Sequence, residues 1–498
     1  MILKIVSLLI FSLLQFAVDG SQLDDILIQG NDALVEDNTQ QAIFLYRKGI
    51  EEMKRQKEVS LLTTISLYTN LATALSSEGD NEAAALSYQQ ALTAYEDQID
   101  FVSDMETKEE AKEIASQSSF FLGMVYQDLS RPKEAIEAYA LTHDEFDSNH
   151  WASYANKGSV FHDNFSNHEK ALEAYNQAYT LLVGGHATEP PAEPRYILSQ
   201  LQYRIGLCLS AREDRRCALQ NEDGTTEVVD CQEQAAHAFS VALQYDPTNV
   251  SAQHMLASLT ADATMKRASN AYVQSLFDGY AVNFEHSLVK DLGYTGYERL
   301  RKGFDRAMVN LGETKPMSLV IDAGCGTGLV GEQFRNISTV LVGVDLSAAI
   351  LEQAQQKRPG LYDDTRVGDV MATFDEFANQ ISLIIAGDSY IYFGDLLPLF
   401  EAMEKGLKPG GYAAFTLENV PAENEEILAE TKPDWRWQLT PSGRFAHRKA
   451  YVMNASQETN LKIIHYEQMD GFRFEKGIGV RGHIFVLQKP HKGTGDEL

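Results

Sequence analysis

Seven consecutive residues, Asp322-Ala323-Gly324-Cys325-Gly326-Thr327-Gly328, carry the clearest chemistry in this chain. Three alternate glycines let a backbone turn sharply and pass close to a ligand that side chains would exclude. The apolar run from Ser318 to Ala323 predicts a strand before them, and Leu329 to Arg335 predicts a helix after them. A loop feeding a helix N-terminus favours a carboxylate or phosphate. Seventeen residues beyond Gly328, Asp345 ends a second strand predicted over Val340 to Val344. A carboxylate at that place can accept both hydroxyls of a ribose. Gly368-Asp369 ends a third predicted strand, within reach of an adenine amino group. The chemistry these residues suit is the holding of an adenine nucleoside with a charged tail.

Two classes of protein do that. Gly326-Thr327-Gly328-Leu329-Val330-Gly331 also matches the Gly-x-Gly-x-x-Gly of dinucleotide enzymes, a pattern of little specificity alone. The acid immediately before the loop, the third acidic strand end at Asp369, and two closing apolar runs (Leu461 to Gln468, Gly482 to Gln488) favour a methyltransferase. Residues from about 270 to 490 resemble a family of tetratricopeptide-repeat-containing class I methyltransferases. The resemblance rests on Phe277-Asp278-x-Tyr280-Ala281-x-x-Phe284, Leu292-Gly293-Tyr294, the glycine loop, and Gly343-Val344-Asp345-Leu346-Ser347. It continues through Leu361-Tyr362-Asp363, Tyr392-Phe393-Gly394-Asp395-Leu396, Leu407-Lys408-Pro409-Gly410-Gly411 and Ser442-Gly443-Arg444-Phe445-Ala446-His447. It implies a Rossmann-like α/β fold whose seven-stranded sheet has its last strand antiparallel, with S-adenosylmethionine as methyl donor. Donor contacts are then expected from the backbone of Gly324, Gly326 and Gly328, from Asp322 at the methionine amino group, from Asp345 at the ribose, and from Leu346. Asp369 is expected at the adenine, and Tyr280 over the methionine end.

The acceptor is expected beyond the fourth and fifth strand ends, where Gly387-Asp388-Ser389-Tyr390 follows a strand over Ile381 to Ala386. Arg444 and His447 fall in a polar segment after Trp435-Arg436-Trp437, which reads as a lid. His447 is the candidate general base, because imidazole titrates near neutrality; a structural histidine is the alternative. Asp388, Arg444 and His447 are therefore the candidate catalytic residues. Neither Asn-Pro-Pro-Tyr nor Asp-Pro-Pro-Tyr occurs, which points away from amino-group methylation and toward oxygen of a small molecule or protein. No metal-ligand spacing is read.

Elements must position these residues. Strands alternate with helices over 316–490, as in a parallel sheet with right-handed crossovers, after a helical connection over 266–315. Residues 21–265 are helical and repetitive. A small residue is followed twelve positions later by Ala, four further by an aromatic, and three further by another small residue: Gly30, Ala42, Tyr46, Gly49, then Ala72, Ala84, Tyr88, Ala91. Gly123, Ala135, Tyr139 and Thr142 follow. Gly158, Ala171, Tyr175 and Ala178 come next, one residue longer around Asn164-Phe165. Gly206, Ala235, Phe239, Ala242 and Pro247 complete the series. This resembles the tetratricopeptide repeat of roughly 34 residues, whose small positions let paired helices approach while aromatics fill the gaps between units. An all-α superhelix of this kind offers a groove for a protein or peptide partner.

The composition fits two folded halves: 44% apolar and 23% charged residues in 498. A net charge of −29 repels phosphate backbones and argues against nucleic-acid binding. Lys4, the apolar run Ile5 to Phe16, and small residues to Gly20 read as a signal peptide over 1–20, with an uncleaved anchor as the alternative. The tail, 491–498, ends Gly495-Asp496-Glu497-Leu498, which resembles a retrieval signal of the endoplasmic reticulum. That compartment would let Cys217 and Cys231 pair across the Asn221-Glu222-Asp223-Gly224 turn; otherwise they are two free thiols. Cys208 and Cys325 read as buried small hydrophobes, and sequons occur at Asn164, Asn249, Asn336 and Asn454. No later run is long enough to span a membrane, so no stable membrane insertion is expected. Two functions remain open: a methyltransferase whose repeats recruit a partner or substrate, and a luminal repeat scaffold whose methyltransferase fold only regulates.

Overall fold

The computed structural model describes residues 22–56, 58–212, 215–220, 226–260, 264–313, 316–475 and 477–491. The N-terminal apolar run, the Asn221 to Gly224 turn and the Gly495 to Leu498 tail lie outside the described residues. The chain divides into two compact units, Met1–Thr248 and Asn249–Leu498. The division comes one helix earlier than the expected array end at 265.

The first unit is a series of helical hairpins. They pair α1 (Gln22–Val35) with α2 (Thr39–Met53), α3 (Leu61–Ser77) with α4 (Asn81–Gln98), and α5 (Met105–Asp128) with α6 (Pro132–Leu141). Then come α7 (Trp151–Phe165) with α8 (His168–Val183), and α9 (Pro194–Ser210) with α10 (Cys231–Tyr245). Side-chain caps start most of them: Asn38, Ser60, Asp80, Asp104, Asn167 and Asp230 each accept a backbone N–H of the first turn. The repeated spacing has a direct physical cause. A Cβ added to Gly30 would lie 2.4 Å from the Tyr46 ring, and one at Gly123, Gly158 or Gly206 would lie 2.5 to 2.9 Å from Tyr139, Tyr175 or Phe239. Each of these four aromatics therefore lies against the glycine of its own hairpin. The hydroxyl of Tyr139 also accepts from Asn156 of the next hairpin, so the ring serves the gap between neighbours as well. The fifth hairpin carries an insertion that folds as an antiparallel ribbon of β1 (Arg216–Gln220) and β2 (Thr226–Asp230). A Cys217–Cys231 disulfide with Cα atoms 5.1 Å apart ties β1 to the first residue of α10.

The second unit opens with α11 (Val250–Leu259), α12 (Asn270–Tyr280), the single turn α13 (Phe284–His286) and α14 (Gly296–Leu311). Its strands are β3 (Met317–Ala323), β4 (Ser338–Asp345), β5 (Asp364–Val367), β6 (Ile381–Ala386), β7 (Leu407–Glu418), β8 (Trp437–Leu439), β9 (Phe445–His447), β10 (Lys462–Glu475) and β11 (Ile478–Gln488). The main sheet runs β10-β11-β7-β6-β3-β4-β5, parallel from β7 to β5, with β11 antiparallel to both its neighbours. The expected seven strands are present. The β8–β9 pair is an addition, joined to β7 through Glu418 and Ala446. Alternation along the buried strands feeds two cores. Ile321, Ile384 and Phe415 pack with Phe400 and Met403 on one face, and Val320, Leu383 and Ala414 with Phe304 and Met308 on the other. Among the described residues no helix is long and apolar enough to cross a membrane.

Candidate active site

β3 and β6 are neighbours in the sheet although β4 and β5 separate them in sequence, so the strand order reverses between them. Such a reversal leaves a crevice beyond the carboxyl ends of the strands. Gly324, Gly326 and Gly328 all adopt positive φ there, 70°, 54° and 95°. A Cβ at Gly324 would stand 2.4 Å from Ser389 Cβ in the loop after β6, and one at Gly326 would stand 3.3 Å from the Phe284 ring. The loop thus has to be glycine to approach its opposite wall.

A cavity of about 290 Å³ opens at this place. Gly324, Gly326, Asp345 and Leu346 line one part; Asp388, Ser389, Tyr392 and Arg444 line another; Phe277, Tyr280 and Phe284 form an aromatic wall. Asp345 closes β4 as expected. Its two oxygens accept the backbone N–H groups of Gly326 and Ser347, each at 3.0 Å, and burial holds its pKa above the ordinary carboxylate value despite those bonds. Ser347 in turn donates to Asp278 of α12 at 2.5 Å. Tyr280 is on the wall, 43% exposed, and donates to Ser287. The glycine cradle and a carboxylate aimed along it fit the ribose end of an adenosyl group.

Four expected contacts need correction. Asp322 does not line the cavity: it is buried, accepts the Tyr362 hydroxyl at 2.7 Å through Oδ2, and leaves Oδ1 without a hydrogen-bond partner. Burial pushes its pKa up to about 7. It braces the loop from below, at the side of Gly331. Gly328 faces Leu361 and Arg358 rather than the cavity. Asp369 caps the helix Val370–Glu376 and is already engaged, by Arg267 at 2.6 Å and Asn270 at 3.0 Å. Burial would raise its pKa, but those two partners draw it below the ordinary value. Arg267 and Asn270, not Asp369, present the polar surface at that end of the cavity.

His447 is the fourth. It ends β9 with no exposed surface, its Nε2 is 3.2 Å from the Gly394 carbonyl oxygen, and it is absent from the cavity wall. Burial lowers its pKa to about 4. A ring held neutral inside the sheet cannot collect a proton from an acceptor in the crevice. The expected lid is likewise part of the fold, because Trp437 begins β8 and Trp435 is buried.

Arg444 and Asp388 do reach the cavity, through a charge network the sequence did not disclose. Arg473 is fully buried and holds both oxygens of Asp388, at 2.7 and 2.6 Å, with Glu418 and Glu475 as further partners. Arg444 pairs with Glu475 and lies 4.0 Å from Glu418. Two guanidinium groups and three carboxyl groups thus form one network beside the cavity. Its neighbours' positive charge holds Glu475 below its ordinary pKa against the opposing effect of burial, whereas burial keeps Glu418 above it. Arg473 reaches the network from a register break in β10 between Asp470 and Phe474, beside Gly471 at φ 59°. Asp388 itself adopts a positive φ, also 59°, uncommon for a non-glycine residue and frequent at working sites.

Comparison with known proteins agrees with this architecture. A methyltransferase-domain family model matches residues 320–411, and a tetratricopeptide-repeat model matches residues 65–98, which span most of α3 and all of α4. A malonyl-[acyl-carrier protein] O-methyltransferase of Pseudescherichia vulneris is 26% identical over 163 residues, covering 28% of this chain and 63% of that protein. Its counterpart from Yersinia pestis is 31% identical over 77 residues, covering 16% and 28%. The chain thus spans less than two-thirds of the length of either curated relative. Among solved structures, the magnesium protoporphyrin IX methyltransferase of Synechocystis with bound S-adenosylhomocysteine is 14% identical, covering 44% of this chain and 99% of that one, with a TM-score of 0.33. One chain therefore joins a tetratricopeptide repeat to a class I methyltransferase domain. S-adenosylmethionine is the donor that such a domain uses.

Proposed function

We propose that this protein transfers a methyl group from S-adenosylmethionine to an oxygen of a carboxylate-bearing acceptor, with the repeat array recruiting a protein partner or the substrate itself. The observation that carries the reading is the shared cavity, in which Gly324, Gly326, Asp345 and Leu346 adjoin Asp388, Ser389 and Arg444. Gly324 and Gly326 would hold the donor by close backbone approach, Asp345 would accept its ribose hydroxyls, and Phe277, Tyr280 and Phe284 would exclude water. The donor, when bound, supplies an activated methyl group on a sulfonium, so the protein's work is alignment and desolvation.

The acceptor class follows from what the wall lacks. Asp388 has both oxygens committed to Arg473, Asp345 receives two backbone N–H groups, and His447 lies elsewhere. No residue on the wall stands ready to deprotonate an alcohol. A carboxylate needs no base, because it is ionised at neutral pH. Arg444, which pairs with Glu475, is the guanidinium lining that part of the cavity, and a bound carboxylate would share it. The curated relatives are named for O-methylation, which favours the same atom.

Titration calorimetry of the full chain with S-adenosylmethionine tests the donor half: Asp345→Ala should bind roughly tenfold to a hundredfold more weakly, the cost of lost hydrogen bonds to a charged group. Unchanged binding would remove the enzyme reading and leave the repeat scaffold, an alternative favoured by Asp369 being already engaged. Labelled methyl transfer tests the acceptor half. A methyl ester releases its label in mild alkali, whereas an alkali-stable product means an ether or amine and rejects the carboxylate.

The compartment belongs to the same proposal. The Cys217–Cys231 disulfide supports an oxidising lumen of the secretory pathway, as does the apolar run from Ile5 to Phe16. A tagged full-length protein found in the cytosol would overturn this.

A further inference from the structure

Away from the cavity, the fourth and fifth hairpins bring together three side chains that metal ions favour. His162 on α7, His168 at the start of α8 and Cys208 on α9 have ligand atoms that all lie within 4.8 Å of one another. His162 Nδ1 is 3.4 Å from Cys208 Sγ, and the two histidine rings meet edge to face at 5.1 Å. With zinc–sulfur near 2.3 Å and zinc–nitrogen near 2.0–2.1 Å, the edges of a tetrahedron should measure roughly 3.3–3.6 Å. The His162–Cys208 edge already has that length. His168, half-buried, needs a side-chain adjustment of ~1 Å to bring its ligand atom to the same point. The extra residue of this repeat matters here: the turn Phe165-Ser166-Asn167, with Ser166 at φ 49°, delivers His168 to the head of α8 beside His162. Arg204 stands nearby, but its charge is met by Asp163 at 3.0 Å.

We propose that His162, His168 and Cys208 form a binding site for a thiophilic divalent cation of the zinc type, which clamps the fourth hairpin to the fifth. Binding deprotonates Cys208: the thiol proton leaves to solvent as the sulfur–metal bond forms, with no change of oxidation state. A solvent molecule takes the fourth position, as expected with three protein ligands. Neither the methyl donor nor the acceptor enters the argument, so its failure would leave the function above untouched.

Cobalt(II) is the probe. The chelator-stripped full chain, with its disulfide intact, should bind one equivalent and show thiolate-to-cobalt charge-transfer absorption. Cys208→Ser should abolish that band, and His168→Gln should weaken binding at least about tenfold, the usual effect of losing a ligand-sphere interaction. No band in the wild type, or a band that survives Cys208→Ser, overturns the site and leaves a plain thiol–imidazole contact. A second measurement does not depend on a variant folding. One equivalent of zinc should slow alkylation of Cys208 relative to Cys325, the other free cysteine among the described residues. Equal slowing, or none, overturns the proposal as well.

Discussion

A histidine's value near neutral pH depends on water reaching it, and β9 denies His447 that contact. Its imidazole has a folded pKa of about 4 against an ordinary value near 6.5, so its contribution to stability is present above pH 6.5 and is lost as pH falls through 4. His447→Asn should therefore keep methyl transfer within about tenfold, where loss of a general base would cost 10²–10⁴-fold. Initial rates on folded variant settle the point, and a thousandfold loss would restore the base. Asp322 behaves in the opposite sense. Its folded pKa, about 7, lies above that of an unfolded carboxyl, so its contribution is full below about pH 4 and disappears as pH rises through 7. Denaturant titrations of the wild type and Asp322→Asn between pH 4 and 8 should diverge, with the wild type losing ground to the variant as pH rises. A constant difference across that range would mean the carboxyl is ionised throughout.

At the scale of elements, what was legible in the sequence was whatever a contact forces into a fixed spacing. The repeat was visible because a ring in one helix needs a small residue in its partner, glycine in four hairpins and Ala72 in the second. Gly123→Ala places a Cβ 2.6 Å from the Tyr139 ring and should destabilise the first unit by about 1–3 kcal/mol. Gly279→Ala meets nothing within 4 Å and should be neutral or stabilise by up to ~1 kcal/mol, the ordinary helical gain. Equal effects on urea midpoints would break the link between spacing and contact. The glycine loop and Asp345 were legible for a similar reason, since strand, turn and helix fix them locally. Arg473 was not, because a register break carries it inward from a strand whose pattern gives no warning. His447 misled because its type suggests chemistry while its strand position decides burial. His162, His168 and Cys208 come from three helices, six and forty residues apart, so no local pattern joins them.

At the scale of the whole molecule, two units carry two different linkages, and each can be moved without the other. The Cys217–Cys231 bridge closes a short loop, 14 residues from end to end, in the first unit. A cross-link of that size contributes about 3 kcal/mol by restricting the unfolded chain. Reductant should then lower the first unit's melting temperature by about 6–12 °C, given about 2–4 °C per kcal/mol for a unit of this length. Held at the proposed site, the donor should act on the second unit. At a hundred times its dissociation constant it stabilises the folded state by about 2.7 kcal/mol, a shift of similar size and opposite sign. Scanning calorimetry assigns the transitions: the one raised by S-adenosylmethionine in the wild type but not in Asp345→Ala belongs to the second unit. Reductant should leave that transition in place, because no disulfide of the described residues lies there. If reductant moved the donor-sensitive transition instead, the bridge would be acting across units, and the repeat array and catalytic half would have to be treated as one cooperative body.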